Sequence, residues 1–109
     1  MSQYAVAIDR DAENDLEDIA NYIAEHDSSQ HALDVVANIE RQVERLAPFP
    51  DRGAHPKELL EYGNRDFREI SFKPYRILYR VLGRQVVVVL IADGRRDMRS
   101  LLARRLLSA

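Results

Sequence analysis

Two stretches in the first half of the chain repeat apolar residues at the spacing of amphipathic helices. The first repeat consists of Ala12, Leu16, Ile19 and Ile23, and the second of Ala32, Val36, Ile39, Val43 and Leu46. Asp9 or Asp11 can cap the first helix, a serine can cap the second, and Pro48 ends it. Because only residues 26–29 separate the repeats, the pattern predicts an antiparallel αα-hairpin.

Four other segments have the alternation or the composition of β-strands. One lies at residues 4–8, before the hairpin, and the others lie at residues 67–72, 75–82 and 85–92. The last of them is apolar on both faces, which predicts a central strand that is covered on both sides. Lys73-Pro74 and Gly83-Arg84 are tight links and predict antiparallel pairing of the three later strands.

The remaining segments are a wrapping loop and a short terminal helix. Residues 51–66 hold two glycines and a proline among many charges, with room for one turn of helix at residues 57–61. A basic helix is predicted at residues 97–107, with four leucines on its apolar side: Leu101, Leu102, Leu106 and Leu107. The predicted order is β-α-α-β-β-β-α, which is an α+β fold class.

The composition narrows the class of protein. A chain of 109 residues is expected to form one domain over residues 1–109. It has no cysteine, which excludes a disulfide scaffold and a thiol nucleophile. The longest apolar run covers residues 86–92, far short of the roughly 20 residues of a membrane helix. We therefore expect a cytoplasmic protein without a signal peptide or membrane contact.

The net charge of −2 is the sum of two halves of the chain that carry opposite charges. Residues 1–64 hold five basic and fourteen acidic side chains, and residues 65–109 hold eleven basic and four acidic ones, so the halves carry −9 and +7. Such asymmetry indicates that the basic half meets a polyanion or an acidic partner. The alternative is that the two halves neutralise each other within the fold.

Common catalytic motifs are missing from the sequence. The three histidines, His26, His31 and His55, lack the spacing of metal ligands, and no glycine-rich phosphate loop is present. Ser71 has no neighbours that mark it as a nucleophile. We therefore expect neither a metal nor a cofactor, and no hydrolase triad.

Arginine forms two groups that can carry function. Arg76 and Arg80 share one face of a predicted strand, and because burying two guanidinium groups is costly they should line a cleft or rim, with Glu69 as a neighbour for pairing. The second group is Arg95, Arg96 and Arg99, which directly follows the central strand. Loops at the ends of strands often carry functional residues because their side chains are not needed for packing. The structural alternatives are an internal salt bridge for the first group and a capped basic helix for the second.

Several sequence segments, taken in their order along the chain, resemble the RelE/ParE superfamily of type II toxin–antitoxin toxins. They are DLEDIANYIAE at 15–25, IERQVERLAPFPDRG at 39–53, PYRILYRV at 74–81, VVVVLIADGRRD at 86–97 and LLARRLL at 101–107. The resemblance implies an αα-hairpin packed on a small, mostly antiparallel sheet. It also implies an antitoxin partner and a bacterial cytoplasm.

The superfamily has two activities, of which one is cleavage of mRNA on the ribosome. For such a RelE- or YoeB-like nuclease, the resemblance places Glu58, Arg76 and Arg96 at catalytic positions. RNA cleavage also needs an acid for the leaving 5′-oxygen, and no Tyr or His follows Tyr79 in this chain. An arginine, with a pKa above about 12, does not easily donate that proton.

The other activity is that of ParE-like members, which poison DNA gyrase, and the end of this chain resembles theirs. On this hypothesis the chain has no catalytic residue, and its partners are DNA gyrase and a ParD-like antitoxin with which it forms a hetero-oligomer. Gyrase, its DNA or both would meet Arg76, Arg80, Arg95, Arg96 and Arg99. The antitoxin would lie along Leu16, Ile19, Tyr22, Ile23, Val36 and Val43. Besides the nuclease, a degenerate toxin kept as a binding module stays an alternative.

Overall fold

The computed structural model describes residues 3–107. The elements are β1 (Ala5–Ile8), α1 (Arg10–His26), α2 (Ser29–Glu44), α3 (Lys57–Leu60), β2 (Arg68–Phe72), β3 (Tyr75–Leu82), β4 (Gln85–Asp93) and α4 (Met98–Leu102). A turn of π-helix at Ala103–Leu107 continues α4. The predicted order of elements is confirmed, including the helical turn near residue 57. The predicted terminal helix consists of α4 and the π-helical turn. Asp97 is the N-cap residue of α4 rather than its first residue.

Both long helices begin at the residue types that the sequence indicates. The carboxylate of Asp9 accepts a hydrogen bond from the backbone N–H of Ala12 at 2.9 Å. The hydroxyl of Ser28 accepts one from the N–H of His31 at 3.0 Å. Each cap satisfies a donor that the first turn leaves without a partner inside the helix. Since only two residues separate α1 from α2, the helices form the predicted hairpin.

The four strands form one sheet in the order β1-β4-β3-β2. β1 runs parallel to β4, and the other two pairings are antiparallel. β4 pairs with β3 along its whole length but with β1 only through Gln85–Val88. The pairing of β3 with β4 is interrupted by a β-bulge opposite Leu78 and Tyr79. Because of this bulge, Val89 and Leu90 of β4 face the same side of the sheet.

Both faces of the sheet are covered, as predicted for the central strand. The α1–α2 hairpin packs on one face through Ile39, Val43 and Leu46. The other face carries a second core, in which Leu59 of α3 and Leu102 of α4 cover the sheet.

The second core lies between the two arginines that are predicted to line a cleft or rim, Arg76 and Arg80. They share a face as predicted, but Leu78 between them is fully buried. The two arginines therefore lie at the margins of a hydrophobic core.

Tyr79 fastens the loop that follows α2 to the sheet. Its hydroxyl donates a hydrogen bond to the carbonyl of Pro50 at 2.7 Å and accepts one from the N–H of Gly53 at 3.0 Å. The guanidinium of Arg68 donates to the carbonyl of Gly53 at 2.8 Å. At Gly53 a Cβ atom would stand only 2.6 Å from the carbonyl oxygen of Glu69, so glycine is needed there for steric reasons.

Replacing Gly53 by alanine is therefore expected to lower the free energy of unfolding by about 1–3 kcal/mol, because backbone must move to admit the methyl group. Urea unfolding of the isolated chain measures this. The neighbouring exposed variant Arg52→Ala is the control and should change stability by no more than about 0.5 kcal/mol. Equal stability of Gly53→Ala and wild type would show that the loop accommodates the methyl group freely.

Candidate functional site

An ion cluster around Arg76 lies at one margin of the second core. Its guanidinium donates to both carboxylate oxygens of Glu58, at 2.8 and 2.9 Å, and to Glu69 at 2.6 Å. The Glu58 side chain is only 9% exposed. Each of the three residues comes from a different element, α3, β2 or β3, so the cluster joins them. The sequence pairs Arg76 with Glu69 but misses that Glu58 is its bidentate partner.

This cluster fixes the protonation state of Glu58. The hydrogen bonds from Arg76 lower the pKa of Glu58 from 4.5 to about 2, although burial acts in the opposite direction. The same bonds raise the pKa of Arg76, again against the effect of burial. A general base works best with a pKa near the operating pH. Glu58 is thus a weak base that serves as the counter-ion of Arg76.

Gly94 lets the chain after β4 pass close to Arg76. A Cβ atom at Gly94 would lie 3.0 Å from Cδ of Arg76, and the N–H of Gly94 donates to the carbonyl of Pro74 at 2.8 Å. The half-buried Arg76 therefore limits where the following loop can lie.

Three arginines follow β4 on the surface. Arg95 is 79% exposed and pairs with Asp93 at 2.6 Å, which lowers the pKa of that carboxyl. Arg99 pairs with Glu61 beside α3. Within residues 3–107, Arg96 makes no ion pair. Arg95, Arg96 and Arg99 are all exposed, and we call them the loop arginines.

Arg80 lies apart from these residues. Strand geometry separates it from Arg76 by about 13 Å along β3. Its guanidinium lies over the ring of Phe67, 5.4 Å from the ring centre, which is a cation–π contact. The structure thus places Arg80 at the opposite end of the sheet from the loop arginines.

A groove of about 460 Å³ runs between α1 and the end of β4. Ile19 and Tyr22 of α1 face Tyr75 and Ile91 across it, and Arg96 is on its rim. We call it the Tyr22 groove. The Tyr22 side chain is 63% exposed and stacks on the ring of His26 at 4.1 Å. The groove thus combines apolar walls with charged margins.

The residues predicted to bind an antitoxin separate into two sets. Val43 is buried in the hairpin core, and Ile23 packs in the same core at 7% exposure but also lines the Tyr22 groove. Leu16, Ile19 and Val36 are half-buried. Of the set, Tyr22 alone is exposed.

A second cavity, of about 600 Å³, opens at the same end of the sheet. Ser71, Lys73 and Arg76 line it, and it shares Tyr75 and Arg95 with the Tyr22 groove. Burial and the charge of Asp93 raise the pKa of Tyr75. Sequence reasoning missed Tyr75 because its alternation with Ile77 marks it only as a core residue.

Within residues 3–107, no three His, Asp or Glu side chains are grouped so that they could hold a metal ion. None of the described helices is long and apolar enough to cross a membrane.

Solved structures of small toxins share this fold. The chromosomal ParDE toxin–antitoxin system of P. aeruginosa superposes with a TM-score of 0.69 at 22% identity, covering 83% of this chain and 95% of that one. RelE of E. coli gives 0.62 at 14% identity, covering 97% and 99%. The RelBE2 toxin–antitoxin complex of Mycobacterium tuberculosis gives 0.59 at 22% identity, covering 85% and 93%. The hairpin on a four-stranded sheet is thus the fold of the RelE/ParE superfamily.

The sequence comparison identifies the branch. Residues 6–98 match the family described as the ParE toxin of the type II toxin–antitoxin system parDE. Toxin ParE3 of Caulobacter vibrioides is 29% identical over 96 residues, which is 88% of this chain and 92% of that protein. The chain belongs to the ParE toxin family of type II toxin–antitoxin systems.

Because the pKa of Glu58 is depressed in the folded protein, its ion pair contributes stability above pH 4.5 that is lost as the pH falls towards about 2. Between pH 6 and pH 3 wild type should therefore lose about 2 kcal/mol more than Glu58→Gln, which has no carboxyl group to titrate. Urea unfolding across this range measures the difference.

The control is Glu44→Gln, which removes an exposed carboxylate at the end of α2 and should keep the wild-type dependence on pH. Parallel curves for wild type and Glu58→Gln would contradict the tight coupling of Glu58 to Arg76.

Proposed function

We propose that this protein inhibits DNA gyrase by binding it, and so blocks DNA replication. Membership of the ParE family supports this proposal, because the ParE-like branch is the one that acts on gyrase rather than on the ribosome. The single observation that carries it at the level of residues is the state of Glu58. Glu58, the carboxylate that the resemblance assigns as the nuclease base, is held by two hydrogen bonds from Arg76.

The nuclease alternative also lacks a common site. Arg76 lies in the ion cluster, whereas Arg96 is on the rim of the Tyr22 groove beside α1. In-line cleavage of RNA needs base, cation and acid around one phosphate. Arg76 lines the cavity of about 600 Å³ and Arg96 lines the Tyr22 groove, whereas Glu58 lines neither, and no Tyr or His follows Tyr79 in the sequence.

The loop arginines are the surface that we assign to the target. They are exposed, and the side chain of Arg96 makes no ion pair within residues 3–107. Arginine suits phosphate groups and acidic protein surfaces because its planar fork donates two parallel hydrogen bonds. Arg76 contributes to this surface indirectly, by holding Gly94 and the loop in place.

Adding the protein to gyrase, ATP and plasmid should inhibit supercoiling or accumulate cleaved DNA, while mRNA in a translating extract stays intact. Arg95, Arg96 and Arg99 changed together to glutamate should abolish this inhibition and keep the fold, since exposed charges change stability by only about 0.5 kcal/mol each. Circular dichroism and a supercoiling assay measure the two effects.

The matched control changes Arg10, Arg41 and Arg45 to glutamate, which alters the charge equally on the hairpin side and should leave inhibition intact. Cleaved mRNA with unaffected gyrase would replace this proposal by the nuclease. No effect on either target would favour the degenerate binding module.

We infer that a ParD-like antitoxin neutralises the protein by occupying the Tyr22 groove, forming a hetero-oligomer. The solved relatives from P. aeruginosa and Mycobacterium tuberculosis are toxin–antitoxin systems or complexes. Ile19, Tyr22 and Ile91 offer apolar walls, and Arg95 and Arg96 offer cations on the rim. Apolar anchors should supply most of the affinity, and the charges should supply association rate and specificity.

Tyr22→Asp should weaken antitoxin binding at least about tenfold, because it places a charge where an apolar anchor docks. Leu33→Asp is the matched control, since Leu33 is equally exposed on α2 but lies outside the groove. Titration calorimetry from low to high salt measures both variants. A complex that dissociates in salt and ignores Tyr22→Asp would mean that charge carries the interface elsewhere.

A further inference from the structure

One edge of β4 is only half covered by a strand. β1 pairs with Gln85–Val88, and in the described part of the chain no strand continues this pairing along the rest of β4. Backbone groups beyond Val88 on that side would therefore face solvent or a foreign strand. A row of unpaired N–H and C=O groups on an apolar strand is a template for pairing with another chain.

Two side chains occupy this open stretch. The N–H of Ile91 donates to Oδ2 of Asp15 in α1 at 3.0 Å, and the carbonyl of Val89 accepts from the guanidinium of Arg105 at 3.1 Å. Asp15 and Arg105 also bond each other twice, both at 3.0 Å. Their side chains are 16% and 21% exposed. Asp15 thus accepts from, and Arg105 donates to, backbone groups of β4 that would otherwise pair with a neighbouring strand.

We propose that the Asp15–Arg105 pair takes the place of the missing strand and seals β4 against pairing with a second copy of this chain. The pairing that it excludes joins the same edge of two copies, which is the simplest symmetric association of identical surfaces. The second half of β4 presents apolar residues there, which makes an open edge liable to associate.

The positions of the acceptor and the donor distinguish a pair that caps the strand edge from an ordinary ion pair. Only an acceptor at position 15 can bond the N–H of Ile91, and only a donor at position 105 can bond the carbonyl of Val89. A double variant with Asp15→Arg and Arg105→Asp restores opposite charges but matches neither backbone group. An ordinary ion pair would tolerate this exchange.

The test is hydrogen exchange of the Ile91 amide by NMR in the full chain, with Ile77 in β3 as the internal reference, together with sedimentation over a wide concentration range. Asp15→Leu keeps an apolar side chain of similar size and removes the acceptor of the Ile91 N–H. It should speed exchange at Ile91 about tenfold and raise the mean mass with concentration. The exchanged double variant should behave in the same way. Glu17→Leu, which removes an equal charge from an exposed position two residues away in α1, should match wild type.

The proposal fails if Ile91 exchanges at the wild-type rate in Asp15→Leu, or if the exchanged double variant restores protection. It also fails if exchange accelerates while the variants sediment as wild type does, because the edge would then be open without attracting a second copy.

Discussion

The structure depends on one constraint, which is that β4 must be covered on every side. Its residues are apolar on both faces, and an uncovered face or edge would expose them or leave backbone groups unpaired. The hairpin covers one face, α3 and α4 cover the other, and β3 pairs along one full edge. β1 completes only half of the opposite edge, and the Asp15–Arg105 pair covers part of the remainder.

The opposite charges of the two halves of the chain are partly used inside the fold. Asp15 with Arg105, Glu58 with Arg76 and Glu61 with Arg99 each join the acidic half to the basic half. These pairs connect α1 and the α3 region to the sheet and the end of the chain. The charge asymmetry is therefore structural to that extent, as the alternative of internal neutralisation predicts. Arg95 pairs locally with Asp93, and Arg96 has no ion pair within residues 3–107.

This distribution separates a structural arginine from surface arginines. Arg76 stabilises three elements and supports the passage of the chain at Gly94, so removing it would disturb the fold as well as the surface. The loop arginines are exposed, so a change of their charge should have little effect on packing. A toxin that acts by binding needs such a surface, with no group tuned for proton transfer. The depressed pKa of Glu58 agrees with that need.

The sequence by itself determined the elements and the faces of the helices, because apolar periodicity, caps at Asp9 and Ser28, and proline breaks act over a few residues. It also placed Arg76 and Arg80 on one face and the loop arginines after the central strand. Only the tertiary structure decided which partner each charge meets. Glu58 and Arg76 are 18 residues apart, and Asp15 and Arg105 are 90 apart, so no local pattern links them. It also decided that Val43 packs in the core whereas Ile23, in the same core, reaches the wall of the Tyr22 groove, because the apolar stripe alone does not show where the sheet covers it.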